Sequence, residues 1–197
     1  MSKLLYCIRH GIAEHNLNYY KYGVQTFYDP TYTDTSLVNE GYEQAIQLRN
    51  TWSELNSIEL VIVSPLKRTL QTAVEIFKHH NAPIISLECC REYPMGKQTC
   101  NKRSPKKILE TKYPFINFDD LQMNEDNLWL PHREESIDEL EQRISQLKDF
   151  ISGRPETKIA LVNHSSFIGQ LKDKEIKYME NGQQELLHCY PYKIELS

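Results

Sequence analysis

Four short apolar runs, each the length of a strand, with helical periods among them, constrain this chain more than any other feature. They lie at Lys3–Arg9, 60–64, 83–87 and Lys158–Asn163. Their apolar residues are consecutive rather than alternating, the pattern of strands buried on both faces. Residues 38–55 then place Tyr42, Ala45, Leu48, Trp52 and Leu55 on one helical side, and 67–79 do the same with Leu70, Ala73, Val74 and Phe77. The clearest helix opens with the capping box Ser136-x-x-Glu139, carries Ile137, Leu140, Ile144, Leu147 and Ile151 as its stripe, and stops at Gly153. Residues 164–171 begin another helical turn, and a last strand falls within 186–196. Strands alternating with helices predict an α/β fold: a three-layer α/β/α sandwich with a largely parallel central sheet.

Two stretches break the rhythm. Tyr19, Tyr20, Tyr22, Phe27, Tyr28 and Tyr32 surround Asp29-Pro30 without a period, which reads as a structured loop. Residues 88–131 carry Pro94, Pro105, Pro114 and Pro131 and read as an irregular insertion with a short helix at 105–113, Pro105 at its first position. At 197 residues the chain reads as one domain, 1–197, interrupted by that insertion.

Spacing closes several routes to function. The glycines, at 11, 23, 41, 96, 153, 169 and 182, are never two or five apart, so neither GxGxxG nor the Walker phosphate loop is present. No two histidines are four apart, which removes HExxH. The residues six beyond the cysteines are Ala13, Met95, Gly96, Lys106 and Glu195, so no Cys-x5-Arg phosphatase loop exists. Five cysteines without a CxxC pair argue for idle thiols in a reducing compartment and against zinc or a disulfide framework. A net charge of −4 disfavours a nucleic-acid partner. No apolar run approaches the roughly 20 residues of a membrane span, and the first apolar run is too short for a signal peptide. The expectation is a cytoplasmic protein without membrane partner, metal or cofactor. The sequence sets no oligomeric state.

Parallel sheets of this kind bind ligands beyond the carboxyl ends of their strands. That rule selects Arg9-His10-Gly11, Ser64 to Arg68, the Glu88–Glu92 region and Asn163-His164. Together they offer arginines, histidines and carboxylates, a set able to bind an anion and attack it. Arg68 falls in the first turn of its helix, where a cation opposes the dipole by about 0.3–1 kcal/mol. A bound anion would remove the conflict. Three carboxylates, Glu92, Glu88 and Glu14, are open as proton donors.

Here the chain resembles the histidine phosphatase superfamily, in its phosphoglycerate mutase-like branch. The matching residues are Arg9-His10-Gly11 with Asn16; Asp34-Thr35-Ser36-Leu37 with Gly41 and Gln44-Ala45; Ser64-Pro65-Leu66-Lys67-Arg68-Thr69-x-Gln71-Thr72-Ala73; Arg91-Glu92-x3-Gly96; and Val162-Asn163-His164. They occur in the family's order. The resemblance implies the phosphoglycerate mutase-like fold and a metal-independent phosphomonoester hydrolase of the histidine phosphatase kind. It implies His10 as nucleophile and phosphohistidine carrier, Arg9 and Arg68 as phosphate clamps, His164 as a further phosphate contact, and Glu92, with Gly96 at family spacing, as proton donor. Asn16 and Ser165 are implied substrate contacts, Ser165 standing where many members have glycine. Ile12 stands where mutases usually carry glutamate, so a phosphoglycerate-type mutase is the second reading and an inactive phosphate-binding scaffold the third.

The substrate is expected to be a small phosphorylated metabolite, chosen by the 88–131 insertion and the tyrosine-rich segment. Lys97, Lys102, Arg103, Lys106, Lys107 and Lys112 face one acid, Glu110, within 97–112. As a positive rim they would draw in an anion, with Arg103 the substrate-binding member.

Overall fold

A computed structural model describes residues 2–176 and 186–196. Six strands form one sheet: β1 (Lys3–Arg9), β2 (Leu60–Val63), β3 (Ile84–Ser86), β4 (Ile116–Asn117), β5 (Lys158–Asn163) and β6 (Pro191–Leu196), in the order β4-β3-β2-β5-β1-β6. All neighbours are parallel except β6, which runs antiparallel to β1 along the edge. The helices are α1 (Glu14–Tyr22), α2 (Asn39–Thr51), α3 (Lys67–Ile76), α4 (Lys106–Lys112), α5 (Ile137–Ser152) and α6 (Ser165–Asp173).

The strands read as unbroken apolar runs because successive residues enter different cores. Tyr6, Ile8, Val61, Val63, Ala160 and Val162 pack on one side with Ala45 and Leu48 of α2, Leu70, Ala73 and Ile76 of α3, and Leu109 of α4. Leu5, Cys7, Leu60, Ile62, Ile159 and Leu161 pack on the other with Leu140, Ile144, Leu147 and Ile151 of α5 and Phe167 and Ile168 of α6. The sandwich expected from sequence is present, helices covering both faces. Its central strand β5 lies between β1 and β2, so the ends of these three converge.

Three expectations need correction. Helix α1 runs through the first half of the tyrosine-rich segment, where a loop was expected, and buries only His15 and Asn16. Ile137 is 43% exposed rather than part of the α5 stripe, because it precedes the first core contact, Leu140. Pro105 is the N-cap of α4, one residue before the helix. Among the described residues, no helix is long and apolar enough to cross a membrane.

Candidate active site

The ends of β1, β2 and β5 carry Arg9-His10, Ser64 and Asn163-His164 into one buried cluster. His10 hangs just past β1, its amide held by the Asn163 carbonyl at 3.0 Å. The chain turns immediately at Gly11, where a Cβ would collide with the Gly41 carbonyl, and a Cβ on Gly41 would in turn strike the Ile12 carbonyl. These two glycines therefore let α2 touch the turn that presents His10. Thr72 Oγ1 accepts from the Gly11 amide at 3.1 Å, and Gln44 Oε1 from the Ile12 amide at 3.0 Å. The motif residues around the histidine are its mounting.

The His10 ring has a defined tautomer. Nδ1 lies 2.7 Å from the Gly11 carbonyl oxygen, which can only accept, so Nδ1 carries the proton. Nε2 then holds a lone pair and accepts from Arg68 Nε at 3.2 Å. Burial pushes the His10 pKa well below the usual imidazole value, and Arg68, His164, His188 and Arg9 push the same way. The ring is neutral, with its lone pair on Nε2, and it lines the cleft described below.

Arg68 starts α3 and is fully buried. Its Nη1 donates to the Cys100 carbonyl at 2.7 Å and its Nη2 to Asn101 Oδ1 at 2.9 Å. The conflict between Arg68 and its helix dipole is relieved in part by protein: Asp34 Oδ1 accepts from the Lys67 amide at 2.8 Å, supplying a carboxylate at the same helix start. Arg9 is buried beside it, donating from Nη1 to the Leu186 carbonyl at 2.6 Å. His164 sits at the start of α6 with Nε2 2.8 Å from Ser64 Oγ, and its ring centroid is 5.2 Å from that of His10. His164 Nδ1 and Ser165 Oγ are buried and have no partner among the described residues.

A cleft of about 300 Å³ opens onto this cluster, lined by Arg9, His10, Asn16, Arg68, Glu92 and Ser165 among others. Of the three candidate carboxylates, Glu92 alone lines it. Its Oε1 accepts from the Tyr93 amide at 2.7 Å and the Phe167 amide at 3.3 Å, yet burial outweighs these bonds and the nearby arginines and raises its pKa. Glu88 is turned away, bound by Arg103 Nε at 3.1 Å, and Glu14 is exposed at the start of α1. Asn16 is at the cleft wall, but its amide is engaged: Oδ1 accepts from the Ala13 amide at 3.0 Å and Nδ2 donates to His15 Nε2 at 3.2 Å.

Arg103 is not on the rim. It is 4% exposed, and its donors go to Glu88 and to the carbonyls of Ser104, Met123, Asn124 and Glu125. Beside it Arg91 clamps Asp126 through both oxygens, at 2.7 and 2.5 Å. A long irregular insertion has many backbone carbonyls to satisfy, and arginine forks satisfy them. The basic run at 97–112 thus serves in part to hold the insertion together.

Sequence reasoning missed three site residues. His15 lines the cleft, with Nδ1 donating to Thr35 Oγ1 at 2.6 Å. His188 donates from Nδ1 to the His10 carbonyl at 2.6 Å from 178 residues away. Asn101 holds Arg68, as described. Only His15 left a trace in sequence, as a second histidine on the same turn beside Asn16.

The fold and cleft define an α/β protein that gathers two arginines and a neutral histidine beyond the carboxyl ends of parallel strands. The chain belongs to the histidine phosphatase superfamily (branch 1), whose family model matches residues 5–184. A phosphoglycerate mutase-like protein of Arabidopsis thaliana is 30% identical over 197 aligned residues, covering 84% of this chain and 72% of that protein. A probable phosphatase of Schizosaccharomyces pombe is 30% identical, covering 83% and 74%. Among solved structures, mycobacterial glucosyl-3-phosphoglycerate phosphatase superposes with a TM-score of 0.62 at 20% identity over 99% of this chain and 92% of that one, a likeness of fold alone.

Proposed function

We propose that this chain is a metal-independent phosphomonoester hydrolase acting on a small phosphorylated metabolite through a phosphohistidine. The observation that carries the reading is the His10 tautomer: its proton is fixed on Nδ1, its lone pair is left on Nε2 beside Arg68, and the ring lines a cleft that also holds the buried carboxyl of Glu92.

In the first step the Nε2 lone pair forms a bond to phosphorus as the ester P–O bond breaks. The departing oxygen takes the proton of the Glu92 carboxyl. Charge spreads over the equatorial oxygens and is met by the Arg9 and Arg68 guanidiniums. The Ser165 hydroxyl is an unspent donor suited to the remaining oxygen, and His164 supplies a second in the tautomer whose Nε2 accepts from Ser64 O–H and whose Nδ1 carries the hydrogen. In the second step water attacks phosphorus and gives its proton to the Glu92 carboxylate. The P–N bond breaks, its electrons return to Nε2, and phosphate leaves. We place the activity in the cytoplasm.

The test is a phospho-enzyme. With nitrophenyl phosphate, whose leaving group needs little protonation, Glu92→Gln should slow the water-dependent step more than the first and accumulate adduct. An acid-free quench and intact-mass measurement should find one added phosphoryl group that disappears in mild acid and is absent in His10→Ala. Activity should persist in EDTA. Transfer to phosphoglycerate faster than to water would establish a mutase instead, and no adduct with any substrate a binding scaffold.

A further inference from the structure

The cleft is lined by two chemically different sets of residues. One holds Arg9, Arg68, His10 and Ser165. The remainder of its wall includes Val24, Phe27, Tyr28, Tyr93 and Glu134. Among the described residues, no lysine and no arginine other than Arg9 and Arg68 lines it. Most of the basic run expected to surround it is engaged elsewhere. Lys102 lies over the Trp129 ring at 5.0 Å, Lys112 over Tyr113 at 5.7 Å, and Lys106 pairs with Glu110 at 3.8 Å. Lys97 reaches the rim only as the exposed partner of Glu134, at 3.8 Å. Glu135, also in the wall, is matched by Arg143 through bonds of 2.5 and 2.7 Å.

A second anionic group on the substrate would leave water to meet aromatic rings and the Glu134 carboxylate, and the one cation at that rim, Lys97, is exposed and already paired with Glu134. An ammonium in the same place would meet the rings of Phe27, Tyr28 and Tyr93 together with the Glu134 carboxylate, to which the Tyr28 hydroxyl donates at 3.3 Å. A volume near 300 Å³ is at the small end of ligand sites, enough for a phosphate and a short organic group.

Building on the hydrolase reading, we infer that the substrate is a zwitterionic phosphomonoester: one phosphate, no carboxylate or second phosphate, and a cationic nitrogen at the far end. The phosphate sits between Arg9 and Arg68, and the nitrogen lies against the aromatic wall beside Glu134. Phosphoglycerates, which carry a carboxylate, fit this wall poorly.

The experiment compares kcat/KM for three esters of similar size, 2-aminoethyl phosphate, 2-hydroxyethyl phosphate and phosphoglycolate, with nitrophenyl phosphate as reference, in wild type and Glu134→Gln. The ammonium ester should exceed the neutral one, and the neutral one the carboxylate. One charge pair about 6 Å apart near a wet surface is worth about three- to tenfold per step. Glu134→Gln should shrink the ammonium-to-neutral ratio by about threefold, and added salt should shrink it in wild type. A preference for phosphoglycolate, or an ammonium preference untouched by Glu134→Gln, overturns the inference; if nitrophenyl phosphate still passes through phosphohistidine, the hydrolase reading stands. Turnover of none of the four esters overturns both.

Discussion

Packing four imidazoles around one phosphoryl site should make this fold sensitive to mild acid. His10, His15 and His164 are buried and His188 is half-buried, and each is pushed below the ordinary imidazole value with desolvation the largest cause, His188 to about 3. The rings of His15, His164 and His188 lie 6.2, 5.2 and 5.7 Å from that of His10. A depressed folded pKa means that unfolding takes up a proton. The stability this contributes is complete above the unfolded value near 6.5 and is lost as pH falls toward the folded value. Each histidine contributes a slope of about 1.4 kcal/mol per pH unit in that window, so four give about 5.5 kcal/mol. Glu92 has the opposite sign. Its raised carboxyl pKa adds stability as pH falls, by at most one proton's slope, which leaves about 4 kcal/mol per unit. Unfolded imidazoles are only half protonated at 6.5, so the first unit below it costs about 1 kcal/mol per histidine, and a chain with about 8 kcal/mol of stability would lose roughly a third of it there after the Glu92 offset. Guanidinium unfolding at fixed ionic strength, stepped from pH 7.5 to 5, measures the slope directly. His188→Gln should reduce it by about 1.4 kcal/mol per unit whatever it does to stability at neutral pH. A wild-type slope no larger than one proton's, or one unchanged by His188→Gln, would refute the reasoning.

Two further expectations concern catalysis. Asn101→Ala removes the acceptor of Arg68 Nη2 at 2.9 Å and the donor to the Pro94 carbonyl at 3.1 Å. A lost bond to a charged group is about 1.5–3 kcal/mol, so kcat/KM should fall at least tenfold together with the denaturation midpoint; unchanged kinetics in a destabilised protein would show that Arg68 is held without Asn101. The pH profile of kcat/KM should rise with pH through the depressed His10 value and fall through the raised Glu92 value. Glu92→Gln should abolish the high-pH limb for nitrophenyl phosphate, and a limb that persists would reassign it.

What was legible in the sequence followed from local period. The bounds of β1 and β5 and the start of α5 were readable because burial on both faces and a capping box each leave marks within a few residues. Helix α1 left none, since the two residues it buries, His15 and Asn16, are polar and two of its three tyrosines, Tyr20 and Tyr22, are exposed. Strand β4, two residues long, is too short to show a period. Of the site, the strand-end rule selected the Arg9-His10, Ser64–Arg68 and Asn163-His164 segments because they follow readable strands. His188 and Asn101 act through contacts spanning 178 and 33 residues, and no local pattern encodes those. Arg103 was misplaced for a related reason: a run of basic residues records composition, whereas the direction of each side chain depends on which carbonyls the insertion leaves unsatisfied.

The features that prepare His10 are also those that strain the fold. A nucleophilic imidazole must be neutral at working pH, and nothing in its own chemistry secures that near a reference pKa of 6.5. Here it is secured by exclusion of water and by two arginines and further imidazoles, every one of which disfavours another positive charge. Arg9 and Arg68 need anchors, and both find carbonyl acceptors, Leu186 near the C-terminus and Cys100 in the insertion. The site therefore depends on segments that are remote in sequence and not themselves part of the parallel core. A substitution that loosens either anchor lets a guanidinium drift, weakens the clamp on phosphate and relaxes the field that keeps His10 unprotonated. Loss of activity and a rise in the lower pKa of the rate profile should then appear together, at positions far from the cleft in sequence.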